Sequence, residues 1–167
     1  MKPRELKEHK DAAKKLTELP AFQPMKRGKL PKPFNKLAGG RMHSTKQIRV
    51  STHHQVLFWW RDGETLADRS FYGYLMCDLA QDALGIVFEF HWHPSHKGIH
   101  CKVPCETELN YTNRFLVGAP ELGLSVSRLL DPRNGNDRQQ LMIRFCDACG
   151  ITLAAKEDPV QPDLWNF

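Results

Sequence analysis

Four of the eight histidines fall in one run, IVFEFHWHPSHKGIHCKVPC, between Ile86 and Cys105. Imidazole is the side chain that serves as acid, base or metal ligand near neutral pH, so this is where chemistry is expected. At strand period, Ile86, Phe88, Phe90 and Trp92 share one face, and Val87, Glu89, His91 and His93 share the other. Pro94 to Lys97 reads as a four-residue hairpin loop, which pairs His93 with Gly98, His91 with His100 and Glu89 with Lys102. The same register sets Trp92 against Ile99, Phe90 against Cys101 and Phe88 against Val103. One pairing thus satisfies an apolar and an ionisable face together.

Clustered imidazoles repel when all are charged, so a cluster is better neutral around a metal, or divided into an acid and a base. Three uses of this face stay open. In a metal site, His91 and His100 would be joined by His93 or His96 around zinc, with water in the fourth position. Without metal, one histidine would take a proton from a ribose 2′-hydroxyl and another would protonate the leaving oxygen, with Lys97 or Lys102 steadying the phosphate. Glu89 completes the candidate set. The third use is none at all: a polar sheet face with solvated histidines.

The segment RFCDACGITL, from Arg144 to Leu153, has the form of a zinc knuckle, strand then Cys146-x-x-Cys149-Gly150 then strand. A knuckle supplies two ligands only. Cys101 with Cys105, or Cys105 with His100, would have to supply the others, yet the hairpin register turns Cys101 toward the core beside Phe90. The alternatives are inert packing of buried thiols and redox chemistry at Cys146 and Cys149.

The elements that must position these residues follow from the rest of the chain. Its 167 residues suit one domain able to bury a core without staples. Ile48, Val50 and Thr52, then His54, Val56, Phe58 and Trp60, alternate as strand up to a turn at Asp62-Gly63, and Phe71 to Cys77 follows as another strand. Pro120 marks a helix start, with Leu122, Val126, Leu129 and Leu130 on one stripe, and Leu141, Ile143 and Phe145 alternate as a further strand, with Ile151 to Ala154 as its return. Trp59 and Trp60 must face opposite sides, one in the core and the other exposed or covered by Trp165 and Phe167. The fold class expected is α+β, an antiparallel sheet of about five to seven strands with one principal helix and a basic N-terminal arm.

Charge is unevenly spread. Residues 1 to 50 carry 14 Lys/Arg against 4 Asp/Glu, while the remaining residues are net acidic. Residues 3 to 19 favour helix, prolines and glycines break regular structure from Pro20 to Gly40, and the compact domain is expected over 45–167. Lys26, Arg27, Lys29, Lys32, Lys36 and Arg41 in the 1–44 arm would track a nucleic-acid backbone, and Phe22, Phe34 and His43 would stack on bases. An acidic protein would suit the same arm.

The stretch from Tyr72 to Lys102, a strand, an Asp, a Gly-led strand ending in an aromatic and then HxHPxHxxxH at His91, His93, His96 and His100, resembles small His-rich toxins of bacterial toxin–antitoxin modules, the TumE-like group. The resemblance implies that the histidines serve RNA cleavage.

Five cysteines at irregular spacing, with no leader-like segment before them, predict a reduced cytoplasm. No apolar run approaches the roughly 18 to 20 residues that cross a bilayer. Two functions emerge. One is a cytoplasmic nucleic-acid-acting protein, a ribonuclease-like toxin or defence effector, acting on RNA or DNA and held by an antitoxin. The other is a non-catalytic, zinc-containing accessory subunit docked on the subunits of a nucleoprotein complex.

Overall fold

Three long apolar runs, His54–Arg61 (β5), Ser70–Asp78 (β6) and Leu84–His93 (β7), form strands buried on both faces, so a layer of chain must cover each side of the sheet. The computed structural model describes residues 3–25, 34, 41–80, 83–93, 98–102 and 130–154. Around the three strands lie the short strands Gln23–Pro24 (β2), Met42–Ser44 (β3), Ile48–Arg49 (β4) and Gly98–Lys102 (β8). The sheet order is β2-β3-β5-β6-β7-β8, with β4 pairing β5 off this path, and every pairing in it is antiparallel. The fold is α+β, as composition and pattern predict.

One face of the sheet packs against the helix Gly135–Ala148 (α2). Phe58, Phe71, Phe88, Phe90 and Trp92 meet Leu141, Met142, Phe145 and Cys146 there. The other face gathers Leu57, Trp59, Tyr74 and Met76 with Met25, Phe34 and Met42. The two tryptophans do point oppositely, but both are buried, and Trp59 is covered by N-terminal residues. A register shift between Leu75 and Met76 leaves Val87 as the extra residue of a bulge. Val87 therefore joins the α2 face and Ile86 the opposite one, reversing the alternation expected at that end of the strand.

Three expectations need correction. The run from Ile48 to Trp60 is two strands, because residues 51–53 bend and fold β4 back on β5, with Ile48 opposite Val56. Leu141, Ile143 and Phe145 lie in α2, not in a strand. Helical spacing buries Asp137, Leu141, Met142, Phe145 and Cys146, and Ile143 is turned outward at 37% exposure. The Asn134 side chain caps this helix by accepting from the N–H groups of Asn136 and Asp137, and Gly150, at φ 63°, turns the chain out of it. The expected helix over 121–130 lies outside the described residues, apart from Leu130.

The third correction concerns the N-terminus. The helix Pro3–Asp11 (α1) stops well short of residue 19, because Lys14–Leu16 (β1) pairs in parallel with Ile151–Leu153 (β9). Burial of Leu16 in the core outweighs the local preference for helix. The Lys15 N–H also donates to the Val50 carbonyl at 2.8 Å, which ties β1 to the end of β4. The described residues of the 1–44 segment are thus built into the folded unit.

Candidate functional site

The β7–β8 register is the one that the apolar and ionisable faces jointly demand. Glu89 faces Lys102, Phe90 faces Cys101, His91 faces His100, Trp92 faces Ile99 and His93 faces Gly98 at the level of Cα atoms. Of β8 only the backbone is described; the loop 94–97, with His96, and Val103 and Cys105 lie outside the described residues.

On β7 the histidine face is partly covered. His91 is only 8% exposed. Its Nε2 lies 3.2 Å from Glu89 Oε2, within ion-pair reach although off the line of a good hydrogen bond. Tyr72, on β6, touches both imidazoles, its ring centroid 4.9 Å from that of His91 and 5.1 Å from that of His93, which are 5.9 Å from each other. Tyr72 stacks on Trp59 at 3.7 Å, and Tyr74 lies 5.9 Å from His91 on the other side. Phe34 reaches in from the N-terminal region to cover Tyr74 at 4.5 Å. The imidazoles thus stand in an aromatic wall, and the wall residues went unnoticed as site residues in the sequence. Their signal was the alternation of Tyr72 and Tyr74 with Phe71 and Leu75 on β6, paired directly with Glu89 and His91.

Burial raises the Tyr72 hydroxyl above its ordinary range. For Tyr74, burial comes first, and the Glu89 carboxylate and Tyr72 push the same way. Both phenols therefore stay protonated at neutral pH and offer an O–H. The face combines neutral donors, a carboxylate and at least two imidazoles, a set suited to moving protons.

The other candidates are distributed differently. Lys26, Arg27, Lys29, Lys32 and Lys36 lie outside the described residues; Arg41 is exposed and pairs with Glu64 at 2.9 Å. His43 is occupied, stacked on Trp60 at 4.5 Å. Cys146 and Cys149 are fully buried at the end of α2 within the main core, so the strand–knuckle–strand arrangement is absent. Burial, then Asp147, pushes the Cys146 thiol up to about 12, away from a reactive thiolate. Among the described residues no group of three or more His, Cys, Asp or Glu side chains is placed to hold a metal ion, and no helix is long and apolar enough to cross a membrane.

No family model matches the chain, and no curated protein or solved structure matches it either.

Proposed function

We propose that the protein is a nucleic-acid-acting effector that cleaves RNA with imidazole acid–base chemistry at the His91 face. The observation that carries this reading is the cross-strand placement of His91 opposite His100, with Glu89 beside His91 and Lys102 opposite Glu89. Glu89 lies 3.2 Å from His91 Nε2 and helps to hold that ring, which suits His91 to the base. His100 would be the acid and Lys102 the counter-charge for the phosphate, with His93 extending the imidazole row. In the step, the ribose 2′-oxygen forms a bond to phosphorus, its proton passes to His91, and the bond to the 5′-oxygen breaks as His100 supplies that oxygen's proton. A cyclic phosphate and a free 5′-hydroxyl result.

The chain's cations support an RNA substrate. Met25 and Phe34 are both buried on the sheet face that bears Trp59 and Tyr74. Lys26, Arg27, Lys29 and Lys32 lie between Met25 and Phe34 in sequence. Phosphate attraction of this kind is salt-sensitive and independent of base sequence. A toxin or defence role in the cytoplasm, with an antitoxin as partner, is the biological setting this chemistry fits.

Cleavage of a fluorescent RNA by the purified full chain tests the reading. His91→Gln and His100→Asn should each lower the rate by about 10² to 10⁴-fold while the thermal unfolding transition stays cooperative. A chelator should leave the wild type unaffected. Wild-type protein that binds RNA but never cuts it, or a double variant that cuts at full rate, would replace this reading with that of a non-catalytic subunit.

A further inference from the structure

A second constellation lies away from the His91 face, where α1 meets the turn between β4 and β5. Ser51 and His54 are three residues apart, and the turn is closed by the N–H groups of Val50 and Ser51, which donate to the His54 carbonyl at 3.0 and 3.4 Å. The closure brings Ser51 Oγ to 2.7 Å from His54 Nδ1. On its other side, His54 Nε2 lies 3.1 Å from Nδ1 of His9 on α1. The Lys14 ammonium donates to the carbonyls of His9 (3.1 Å) and Ala12, which ties it to the end of α1.

We infer that Ser51, His54 and His9 form a nucleophile, its base and the residue that positions the base, serving acyl transfer from a carboxylic ester. Two neutral proton arrangements fit the distances. In the competent one the Ser51 hydroxyl donates to His54 Nδ1, and His54 Nε2–H donates to His9 Nδ1. The His53 N–H donates to Ser51 Oγ at 3.3 Å, taking up an oxygen lone pair and favouring a hydroxyl proton turned toward His54. Ser51 is half-buried beside the exposed Thr52 and His53, so solvent reaches the nucleophile while the base, 5% exposed, is kept dry.

The chemistry balances without a cofactor. Ser51 Oγ forms a bond to the ester carbon, its proton moves to His54, and the carbon–oxygen bond to the alcohol breaks as His54 returns the proton to the leaving oxygen. Water then repeats the sequence and frees the acid. Burial, reinforced by Lys14, His9 and His53 and opposed by Asp78, brings the His54 imidazole down to about 4. Such a ring is a modest base but a strong proton donor once charged, so the chemistry favours an ester whose carbonyl is easily attacked.

Treatment of the full chain with diisopropyl fluorophosphate tests the assignment. Reaction would form an Oγ–phosphorus bond, break the phosphorus–fluorine bond and release fluoride, with the serine proton passing through His54. One adduct is expected on Ser51 by peptide mass analysis, absent in Ser51→Ala and slowed about 10² to 10⁴-fold in His54→Gln. The labelling rate should stay flat from pH 7.5 to 5, where an ordinary histidine base would already be charged. His9→Gln should keep the site of labelling but move the low-pH edge upward, a response that a purely structural role would not give. No adduct, an adduct elsewhere, labelling of Ser51 indifferent to His54→Gln, or a rate that falls through pH 6.5 would each overturn the proposal.

Discussion

The ring of Phe145 on α2 occupies the place where a side chain on Gly73 would begin: a Cβ built there would lie 2.7 Å from Phe145 Cδ2. Phe145 is fully buried, with ring centroids 5.0 Å from Phe58 and 5.7 Å from Phe88, so it has little room to retreat. Gly73→Ala should therefore cost about 1 to 3 kcal/mol in chemical denaturation. Adding Phe145→Leu should cost less on the Gly73→Ala background than in the wild type. Strictly additive losses would show that the two positions do not compete for space.

The buried His54 sets a pH dependence of known sign. Its folded-state value is lowered from 6.5 to about 4, so the unfolded chain binds the proton more tightly. Stability from this group is complete above pH 6.5 and is lost as the pH falls toward about 4. Urea midpoints measured between pH 7 and pH 4 should fall, and His54→Gln should flatten that fall. An identical slope in the variant would assign the effect to other groups.

Asn134 accepts from two backbone N–H groups at the start of α2, at 2.9 and 3.3 Å. Asn134→Ala should lower stability by about 1 kcal/mol, and Asn134→Asp should largely preserve it. Thermal melts followed by circular dichroism would read both. An unchanged melting temperature in the alanine variant would mean that Asp137, which accepts from the Asp131 N–H at 2.9 Å, holds this end alone.

Cys77, Cys146 and Cys149 are fully buried in the core. Iodoacetamide at pH 8 should leave all three unmodified in the native protein, with alkylation appearing only at the rate of unfolding. Peptide mapping after timed quenching would check this. Rapid native labelling of Cys146 would contradict a thiol pushed up to about 12.

What the sequence revealed depended on how many independent constraints met at a position. The β7–β8 register was legible because Trp92, Phe90 and their partners fix one face while His91 and Glu89 fix the other, and a one-residue slip breaks both. The sheet's second apolar face was harder to see, since the side chains that cover it, Met25, Phe34 and Met42, come from a stretch whose prolines and lysines read as an extended arm. Leu141, Ile143 and Phe145 misled because three apolar residues two apart satisfy strand period. Adding Asp137, Met142, Cys146 and Cys149 restores helical spacing, but a buried aspartate is not scored as apolar. The contact of His9 with His54 and the parallel pairing of β1 with β9 were invisible because each joins residues far apart in sequence that no local pattern brings together.

That pairing also gives the chain a fixed order of completion. Lys14 needs Ile151 as its strand partner, and the Ala154 N–H donates to the Leu16 carbonyl at 2.9 Å. On the ribosome, β5, β6 and β7 can form their hairpins as they emerge, since each pairs with a neighbour already made. The segment that includes β1 must wait, its apolar residues uncovered, until residues 151–154 leave the exit tunnel. Any truncation before Ile151 would leave β1 without its partner strand, so a nascent chain stalled in that interval should be the form most exposed to proteases and chaperones.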